Sequence, residues 1–429
     1  MRGFFLLDRL TMSVVIQAHG VDGPCVPLDG GVRVAYLSPS ALLDPASGAS
    51  QSMGTMLAAL VRSGEQCFAL SATCFDRPHG EGLMDHLASH GLQPRGRVPG
   101  GGMVVWQGET KGVRHTMMYV HSQKRMEMTA REEMHFRDLA EDWLAGIKPD
   151  VVIVCGGLPL DLELQRMARR AGAVVAFYLA NPRYRRLSSF ESVDLVLANS
   201  GSTASLYQQR LGLASVNIGL FVDPQPLLVA PRSRDFVAFV NPMPEKGVTL
   251  FLKLVQRARS ECPTMRFLVV ESRARIAVAM ERMGLPQSTL KQVTLLPCQS
   301  DLREVYRQTR ILLMPSFWFE AAGRLLIEAT ANGIPVIATN RGGIPETLAG
   351  GGVLLDIPEA CTRDHWHVPS DDELAPWWNA LMKLWQDPVA LQRQEGLALE
   401  SARRHSLEAK TQALLGLFRK TLTNKKSIS

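Results

Sequence analysis

Short apolar runs alternate with segments of helical periodicity along most of the chain. In the first half, runs rich in branched apolar residues predict strands at 32–38, 66–71, 150–155, 173–178 and 194–198. In the second half, the same pattern predicts strands at 236–240, 266–270, 292–296, 310–314, 335–338 and 352–355. Because helical patterns separate these runs, we predict an α/β protein built from βαβ units on parallel sheets.

The helical segments and the breaks between them divide the chain into units. Predicted helices cover 52–62, 200–211, 248–259, 276–283, 301–308 and 323–331, and the tail after 370 has a helical pattern throughout. Ser200 is expected to cap the helix that follows it, and 98–121 has the pattern of an inserted hairpin. The predicted units are an extension at 1–30, a Rossmann-like domain at 31–222, a linker at 223–234, a second Rossmann-like domain at 235–402 and a last helix at 403–429 that packs back on the first domain.

Composition narrows the class of protein. The chain has 429 residues, of which 46% are hydrophobic and 21% charged, so it has enough apolar material for two cores and is not a disordered protein. Its seven cysteines form no pair or Cys/His cluster with zinc spacing, which favours a reducing compartment over a disulfide scaffold or a metal site. No signal-peptide core or membrane-spanning run is expected, and the net charge of +6 does not indicate a nucleic-acid module.

Candidate chemistry concentrates where the strands of the second half end. After the strand that ends at Met314, a loop carries Glu320, and a helix that begins near Ala322 and Gly323 carries Glu328. Exposed amides at such a helix start favour an anion. Glu328 could instead lie on a solvated helix face, and the three aromatic residues at 317–319 could simply pack.

A second glycine-containing strand end follows shortly afterwards. Gly342 and Gly343 come four and five residues after the end of the strand at 335–338 and before a new helix start. Their lack of a Cβ would let backbone amides approach a ligand, although the pair could equally be turn punctuation.

Together these residues resemble the signature of the retaining glycosyltransferases of family four, which have the two-domain GT-B fold. Glu320 and Glu328 match the family's Glu-x7-Glu element, and Gly342-Gly343-x-Pro-Glu346 follows at the expected place. Pro244-Glu245-Lys246-Gly247 resembles the family's Lys-Gly element. The resemblance covers 236–356 well, whereas the first half matches in its βα layout and in the element at 197–200.

The resemblance implies a nucleotide-diphosphate sugar in the cleft between the domains. Glu328 would bind the ribose hydroxyls and Glu320 the transferred sugar. A larger set would hold the diphosphate and stabilise the leaving group without a metal ion or other cofactor: Lys246, Gly247, Ala322, Gly323, Gly342 and Gly343. A charge-assisted hydrogen bond of this kind contributes about 1.5–3 kcal/mol.

The chain departs from the family pattern at three places. Asn241 stands where the family has a second cation for the diphosphate, and Arg275 is predicted to replace it, with Arg273 and Arg324 as alternatives. Asn181 stands at the strand end where many members have a first-domain histidine. The first-domain glycine loop is reduced to Gly48, which is expected to approach the donor, while the neighbouring serines cap the helix.

The expected partners follow from this assignment. The acceptor would be a hydroxyl of a glycan, a lipid-linked molecule or a protein, and the enzyme would be cytoplasmic. Basic residues in the first domain could contact an anionic membrane or form a solvated helix face, and they are Arg166, Arg169, Arg170, Arg183, Arg185 and Arg186. The alternative functions are a catalytically weak GT-B protein that binds sugar nucleotide or a partner and, last, a nicotinamide-dependent oxidoreductase, for which a Gly-x-Gly-x-x-Gly turn is missing.

Overall fold

The computed structural model describes residues 31–98, 102–299 and 301–427, so the predicted extension at 1–30 lies outside the described residues. Up to residue 217 the strands are β1 (Arg33–Leu37), β2 (Gln66–Ala72), β3 (Gln93–Arg97), β4 (Val104–Thr110), β5 (Val113–Met118), β6 (Val151–Val154), β7 (Val174–Leu179), β8 (Leu195–Ala198) and β9 (Val216–Asn217). The helices of this half are α1 (Gly48–Arg62), α2 (Leu83–Ser89), α3 (Ala130–Ile147), α4 (Pro159–Arg170) and α5 (Gly201–Leu211).

The second half repeats the alternation of strands and helices. Its strands are β10 (Phe236–Val240), β11 (Arg266–Glu271), β12 (Val293–Pro297), β13 (Thr309–Met314), β14 (Val336–Thr339) and β15 (Gly352–Leu355). Its helices are α6 (Val248–Glu261), α7 (Ile276–Arg282), α8 (Arg303–Gln308), α9 (Arg324–Ala331), α10 (Ile344–Leu348), α11 (Glu359–Arg363), α12 (Asp371–Gln386), α13 (Pro388–Ala402) and α14 (Leu407–Lys426).

Two separate sheets organise these elements, as the hydrophobic pattern predicts. The second sheet has the strand order β12-β11-β10-β13-β14-β15 and is parallel throughout, which is the order of a dinucleotide-binding sheet. The first sheet has the order β3-β4-β5-β2-β1-β6-β7-β8-β9. Its inner strand β6 is buried along its whole length, as expected of a strand covered by helices on both faces.

The predicted hairpin is confirmed as β4 and β5, which pair antiparallel across a turn with positive φ at Lys111 and Gly112. β5 also pairs in parallel with β2, so the hairpin extends the main sheet. The edge strand β3 escaped prediction because all five of its residues are exposed and it contains Pro94 and Gly96, which erase the alternating pattern.

The helical tail after 370 consists of three helices, separated by two breaks. Pro388 begins α13 and Asp387 caps it through its carboxylate, so the chain turns there. A second break at 403–406 leads into α14, whose apolar face lies in the core of the first sheet through Leu414, Leu415 and Phe418. The last helix therefore lies against the first domain.

The polar stretch at 223–234 is hydrogen-bonded to the second domain. The amide of Val229 donates to Oδ1 of Asn332 at 2.9 Å, and Arg232 donates to the carbonyls of Thr309 and Gly333. Just before this stretch, Leu220 and Val222 pack in one apolar cluster with Ala322 and Ile327. The chain crosses between the domains at this stretch and again at 403–406, between α13 and α14.

Within the described ranges, no helix combines the length and the apolarity needed to cross a membrane.

Truncation of the last helix's apolar face is expected to destabilise the first domain. Phe418 is fully buried, so Phe418→Ala should lower the free energy of unfolding by about 3–5 kcal/mol through lost burial and the cavity left behind. The measurement is urea-induced unfolding followed by circular dichroism. Lys420→Ala, on the exposed side of the same helix, is the control. Equal effects of both substitutions would contradict the packing of α14.

Candidate active site

A cavity of about 480 Å³ lies between the carboxyl-terminal edges of the two sheets. The first domain lines it with the loop after β1 and the end of β7, and the second domain with the loops after β10, β12 and β13. These include the loops at the points where the strand order of each sheet reverses, between β1 and β6 and between β10 and β13. This is where open α/β sheets bind ligands.

Lys246 and Glu320 meet at the second-domain wall. The turn after β10 ends at Gly247, whose φ of +81° and close approach to the carbonyl oxygen of Pro315 leave no space for a Cβ. The Nζ of Lys246 contacts Oε1 of Glu320, which also accepts a hydrogen bond from Oγ of Ser316 at 2.5 Å. The structure therefore brings Lys246 and Glu320 together, as predicted. Gly247 does not line the cavity; its lack of a Cβ instead lets its turn pack against the backbone at Pro315.

The 320–323 loop is anchored by its carbonyl groups. The carbonyl of Glu320 accepts a hydrogen bond from the amide of Gly343 at 2.7 Å. The carbonyl of Ala322 accepts one from the hydroxyl of Thr347 at 2.9 Å. Both donors belong to the loop and helix that follow β14, so this neighbouring strand connection fixes the loop that carries Glu320.

The first domain also holds this loop. The carbonyl of Ala321 accepts hydrogen bonds from the hydroxyls of Ser200 and Thr203, at the start of α5. Ser200 also accepts from the amide of Thr203, which confirms its predicted capping role. Its contact with Ala321 is a further role, because it ties the cap of a first-domain helix to the loop that lines the cavity.

Glu346 adds a second contact to the same helix start. Its carboxylate accepts hydrogen bonds from the amides of Gly201 at 2.9 Å and Ser202 at 3.2 Å, and from Nδ2 of Asn217 at 2.9 Å. A carboxylate at a helix N-terminus is stabilised by the unpaired amides and the helix dipole. The glutamate of the Gly-Gly-x-Pro-Glu element therefore contacts the first domain rather than the cavity.

The amides of the 320–323 loop face away from these anchors. In a trans peptide, the N–H points opposite to the carbonyl of the preceding residue. Since the carbonyls of Ala321 and Ala322 point to their hydroxyl partners, the amides of Ala322 and Gly323 point away from them. Both residues line the cavity, and within the described residues their amides donate no hydrogen bond. The amides at this helix start are therefore free to bind a ligand, and anion binding there stays a prediction.

Gly342 and Gly343 contact this loop instead of the cavity, which corrects their expected role. A Cβ on Gly342, whose φ is +60°, would overlap the carbonyl oxygen of Glu320, and one on Gly343 would overlap that of Ala321. The amide of Gly343 is already used by Glu320. The close backbone approach that the two glycines permit is thus an approach to another loop of the protein.

Glu328 is buried, with 2% of its surface exposed, so it does not lie on a solvated helix face. It lines the cavity, and its two carboxylate oxygens have different partners. Oε2 accepts a hydrogen bond from the hydroxyl of Tyr306, and Oε1 lies 2.5 Å from Nε of Arg324. Burial, and then the neighbouring carboxylate, raise the pKa of Tyr306 well above its usual value, so this phenol remains a donor. Each carboxylate oxygen keeps lone pairs for further donors.

The first-domain wall is open at Gly48 and polar at Asn181. A Cβ on Gly48 would meet no atom within 4 Å, so this position leaves space in the cavity. The neighbouring Ser47 caps α1 by accepting from the amide of Ser50. Asn181 lines the cavity and accepts from the amide of Arg183 at 3.0 Å. No histidine lines the cavity in the part of the chain that the structure describes.

The expected replacement of the missing cation by Arg275 is not supported by its position. Arg275 directly precedes α7 and lines a smaller neighbouring cavity, not the one that Lys246 lines. Asn241 adopts φ +65° and accepts from the amide of Arg273 at 3.1 Å. The guanidinium of Arg273 crosses the cleft to the carboxylate of Asp76 at 2.5 Å and to the carbonyl of Ala46 at 2.7 Å.

Several lining residues were missed by the sequence analysis. Asp76, Cys298 and Gln299 line the cavity, and each follows the end of a predicted strand, which is the signal that could have found them. Tyr306 gave no such signal, because it lies on the buried face of α8 and its contact with Glu328 depends on packing between distant segments.

Comparison with known proteins shows which family the second domain, one wall of this cavity, resembles. A sequence profile described as Glycosyl transferases group 1 matches residues 234–387, which carry Lys246, Glu320 and Glu328. Residues 234–387 belong to the glycosyl transferases group 1 family. D-inositol 3-phosphate glycosyltransferase of Segniliparus rotundus is 29% identical over 265 residues, which cover 59% of the chain and 50% of that protein. The chain thus spans about half the length of this curated relative.

Solved structures extend the likeness to both domains. Sucrose-phosphate synthase from Thermosynechococcus elongatus superposes with a TM-score of 0.67 at 15% identity, covering 92% of the chain and all of that structure. HepE from Anabaena in complex with UDP-glucose superposes with a TM-score of 0.62 at 14% identity, covering 91% of the chain and 99% of that structure. The architecture is therefore the GT-B fold, with the group 1 domain as its second half.

The tight contact between the group 1 glycines and the 320–323 loop predicts a steric penalty. Gly343→Ala should lower the free energy of unfolding by about 1–3 kcal/mol, because the new methyl group displaces the carbonyl of Ala321. Gly82→Ala is the matched control, since Gly82 also has an ordinary negative φ but nothing within 4 Å of its Cβ position. Chemical denaturation of both variants checks this, and a Gly343→Ala variant as stable as the control would contradict the observed loop contact.

Proposed function

We propose that the protein is a retaining glycosyltransferase that moves a sugar from a nucleotide-diphosphate donor to an acceptor hydroxyl. The observation that carries the proposal is the convergence in one cavity of Lys246, Glu320, Glu328 and the free amides of Ala322 and Gly323. The family of residues 234–387 and the UDP-glucose named for the HepE structure support a nucleotide-sugar donor.

The donor would lie along the second-domain wall. Ribose hydroxyls would donate to Glu328, whose ordering by Tyr306 and Arg324 holds the carboxylate in place before the ligand arrives. The diphosphate would accept hydrogen bonds from the amides of Ala322 and Gly323 at the positive end of α9. Glu320, already oriented by Ser316, would accept hydroxyls of the transferred sugar.

Lys246 would neutralise charge that develops on the leaving diphosphate. A cation about 4 Å from a phosphate oxygen contributes around 4 kcal/mol at an effective dielectric constant near 20. In this proposal, Lys246 and the loop amides supply the stabilisation for which other transferases use a divalent ion, so no metal is required. Lys246 contacts Glu320 in the structure, and this contact would keep the ammonium beside the proposed diphosphate position.

The proposed reaction proceeds with retention and without a protein nucleophile. The bond between the sugar's anomeric carbon and the phosphate oxygen breaks, and the acceptor oxygen bonds to that carbon on the same face. The proton of the acceptor hydroxyl passes to the leaving phosphate oxygen. Asn181, at the first-domain wall, would contact the reacting sugar where many relatives have histidine.

The acceptor belongs to the same proposal and would be a glycan, a lipid-linked molecule or a protein. Because curated relatives are named D-inositol 3-phosphate glycosyltransferases, D-inositol 3-phosphate is the first acceptor to assay. The cytoplasm as the site of the reaction is part of the same proposal. Peripheral membrane contact would depend on Arg183, Arg185 and Arg186, since Arg166 and Arg170 pair with Glu163.

Thermal-shift screening with nucleoside diphosphates and their sugars tests donor binding. A ligand at a hundred times its Kd stabilises the folded protein by about 2.7 kcal/mol, which produces a measurable rise in Tm. We expect one base to stabilise the protein selectively. The nuclear magnetic resonance spectrum of the product then reports the anomeric configuration, which should match that of the donor. No stabilisation by any nucleoside diphosphate would overturn the proposal, whereas selective binding without turnover would favour the weak or inactive alternative.

Substitutions at the two charged groups test their roles. Glu328→Gln and Lys246→Met should each weaken binding of the selected nucleoside diphosphate at least about tenfold, the loss of one charge-assisted contact. Glu304→Gln on the exposed side of α8 and Lys383→Met on the exposed side of α12 are matched controls. Isothermal titration measures all four, and unchanged affinity in both site variants would refute the assignment of the site.

A further inference from the structure

Arg324 is a largely buried cation in the cavity, and only part of its guanidinium has hydrogen-bond partners. It is the first residue of α9, and 18% of its side chain is exposed. Its Nε pairs with Glu328. Its Nη1 is shielded from solvent and has no hydrogen-bond partner among the described residues. Unpaired buried guanidinium nitrogens also occur at Arg125, Arg310 and Arg341, but of these four arginines Arg324 is the one that lines the cavity, where a ligand can supply the acceptor.

The position of this N–H favours an anion. Arg324 follows directly after Ala322 and Gly323, whose amides are free and line the same cavity. A cation at the positive end of a helix dipole is electrostatically unfavourable by itself. Glu328 offsets part of this cost, and a bound anion would offset the rest while accepting from Nη1 and the loop amides together.

The other cations that line the cavity are engaged differently. Lys246 contacts Glu320, and Arg273 crosses the cleft to Asp76. Arg183 is exposed and stacks over the ring of Trp318, with its central carbon 5.4 Å from the ring centroid. Among the described arginines that line the cavity, Arg324 alone has a buried guanidinium nitrogen without a hydrogen-bond partner.

We propose that Arg324 donates through Nη1 to the diphosphate of the donor, as the second cation beside Lys246. This inference rests on the proposed function. The chain has Asn241 where a second cation is expected, and Arg324 would take over that role. Arg275, the replacement expected from the sequence, lies outside the cavity. Because Nε stays on Glu328, one guanidinium would contact both the carboxylate proposed to bind the ribose and the diphosphate itself.

The test separates phosphate binding from a role limited to orienting Glu328. Isothermal titration would measure the Kd of the free nucleoside and of the nucleoside diphosphate, with the base selected by the thermal-shift screen. If Arg324 binds phosphate, Arg324→Gln should weaken the nucleoside diphosphate at least about tenfold and the nucleoside less than about twofold. Equal losses for both ligands, or no loss for either, would overturn the inference.

Two further variants keep the result interpretable. Arg275→Gln is the matched control and should leave both affinities within about twofold of the wild type; selective loss in this variant alone would return the role to Arg275. If Arg324→Gln does not fold, Arg324→Lys keeps a charge beside Glu328 without the planar pair of donors. Its ratio of diphosphate to nucleoside affinity should fall at least about threefold, and an unchanged ratio would overturn the inference. A wild-type protein that binds no nucleoside diphosphate would instead overturn the proposed function itself.

Discussion

The anchoring of three consecutive carbonyl groups in the 320–323 loop is the constraint on which the site depends. The carbonyls of Glu320 and Ala322 are held from within the second domain, and that of Ala321 is held by hydroxyls of the first domain. Since each trans peptide directs its N–H opposite to its carbonyl, hydrogen bonds that fix the loop carbonyls also fix the direction of the loop amides. The free amides at the start of α9 are a consequence of contacts made on the far side of the loop.

The same constraint couples the two domains to the site. The cap of α5 contacts the loop through Ser200, and the N-terminal amides of that helix bind Glu346. Leu220, on the chain that crosses between the domains, packs with Ala322. Relative movement of the domains would therefore act directly on the residues proposed to hold the diphosphate. The positions of Glu346, Gly342 and Gly343 are explained by these contacts without any contact to a ligand.

Much of the architecture could be predicted from local pattern, and the site only in part. Periodicity placed the sheet strands because burial on a parallel sheet imposes continuous apolar runs, as in β6. β3 could not be found, since an exposed edge strand with proline and glycine has no such run. Lys246, Glu320 and Glu328 were predicted to lie at strand ends and in the following helix, and the structure gathers them in one cavity.

Contacts between distant segments set the limit of sequence reasoning. A glycine pair at a strand end predicts a close backbone approach, but the sequence does not say whether ligand or protein approaches, and here it is the 320–323 loop. Likewise, a missing cation at Asn241 could be replaced by any nearby arginine in sequence. Only the packing of α9 against the cavity distinguishes Arg324, with its unused donor, from Arg275 in a neighbouring cavity.

A crystal structure of the protein with its preferred nucleoside diphosphate is the most direct test of the central claim that the 320–323 loop is the diphosphate site. We expect phosphate oxygens within hydrogen-bond distance of the amides of Ala322 and Gly323 and of Nζ of Lys246, with the ribose hydroxyls on Glu328. A diphosphate bound at Gly342 and Gly343, or at the start of α1 in the first domain, would contradict it.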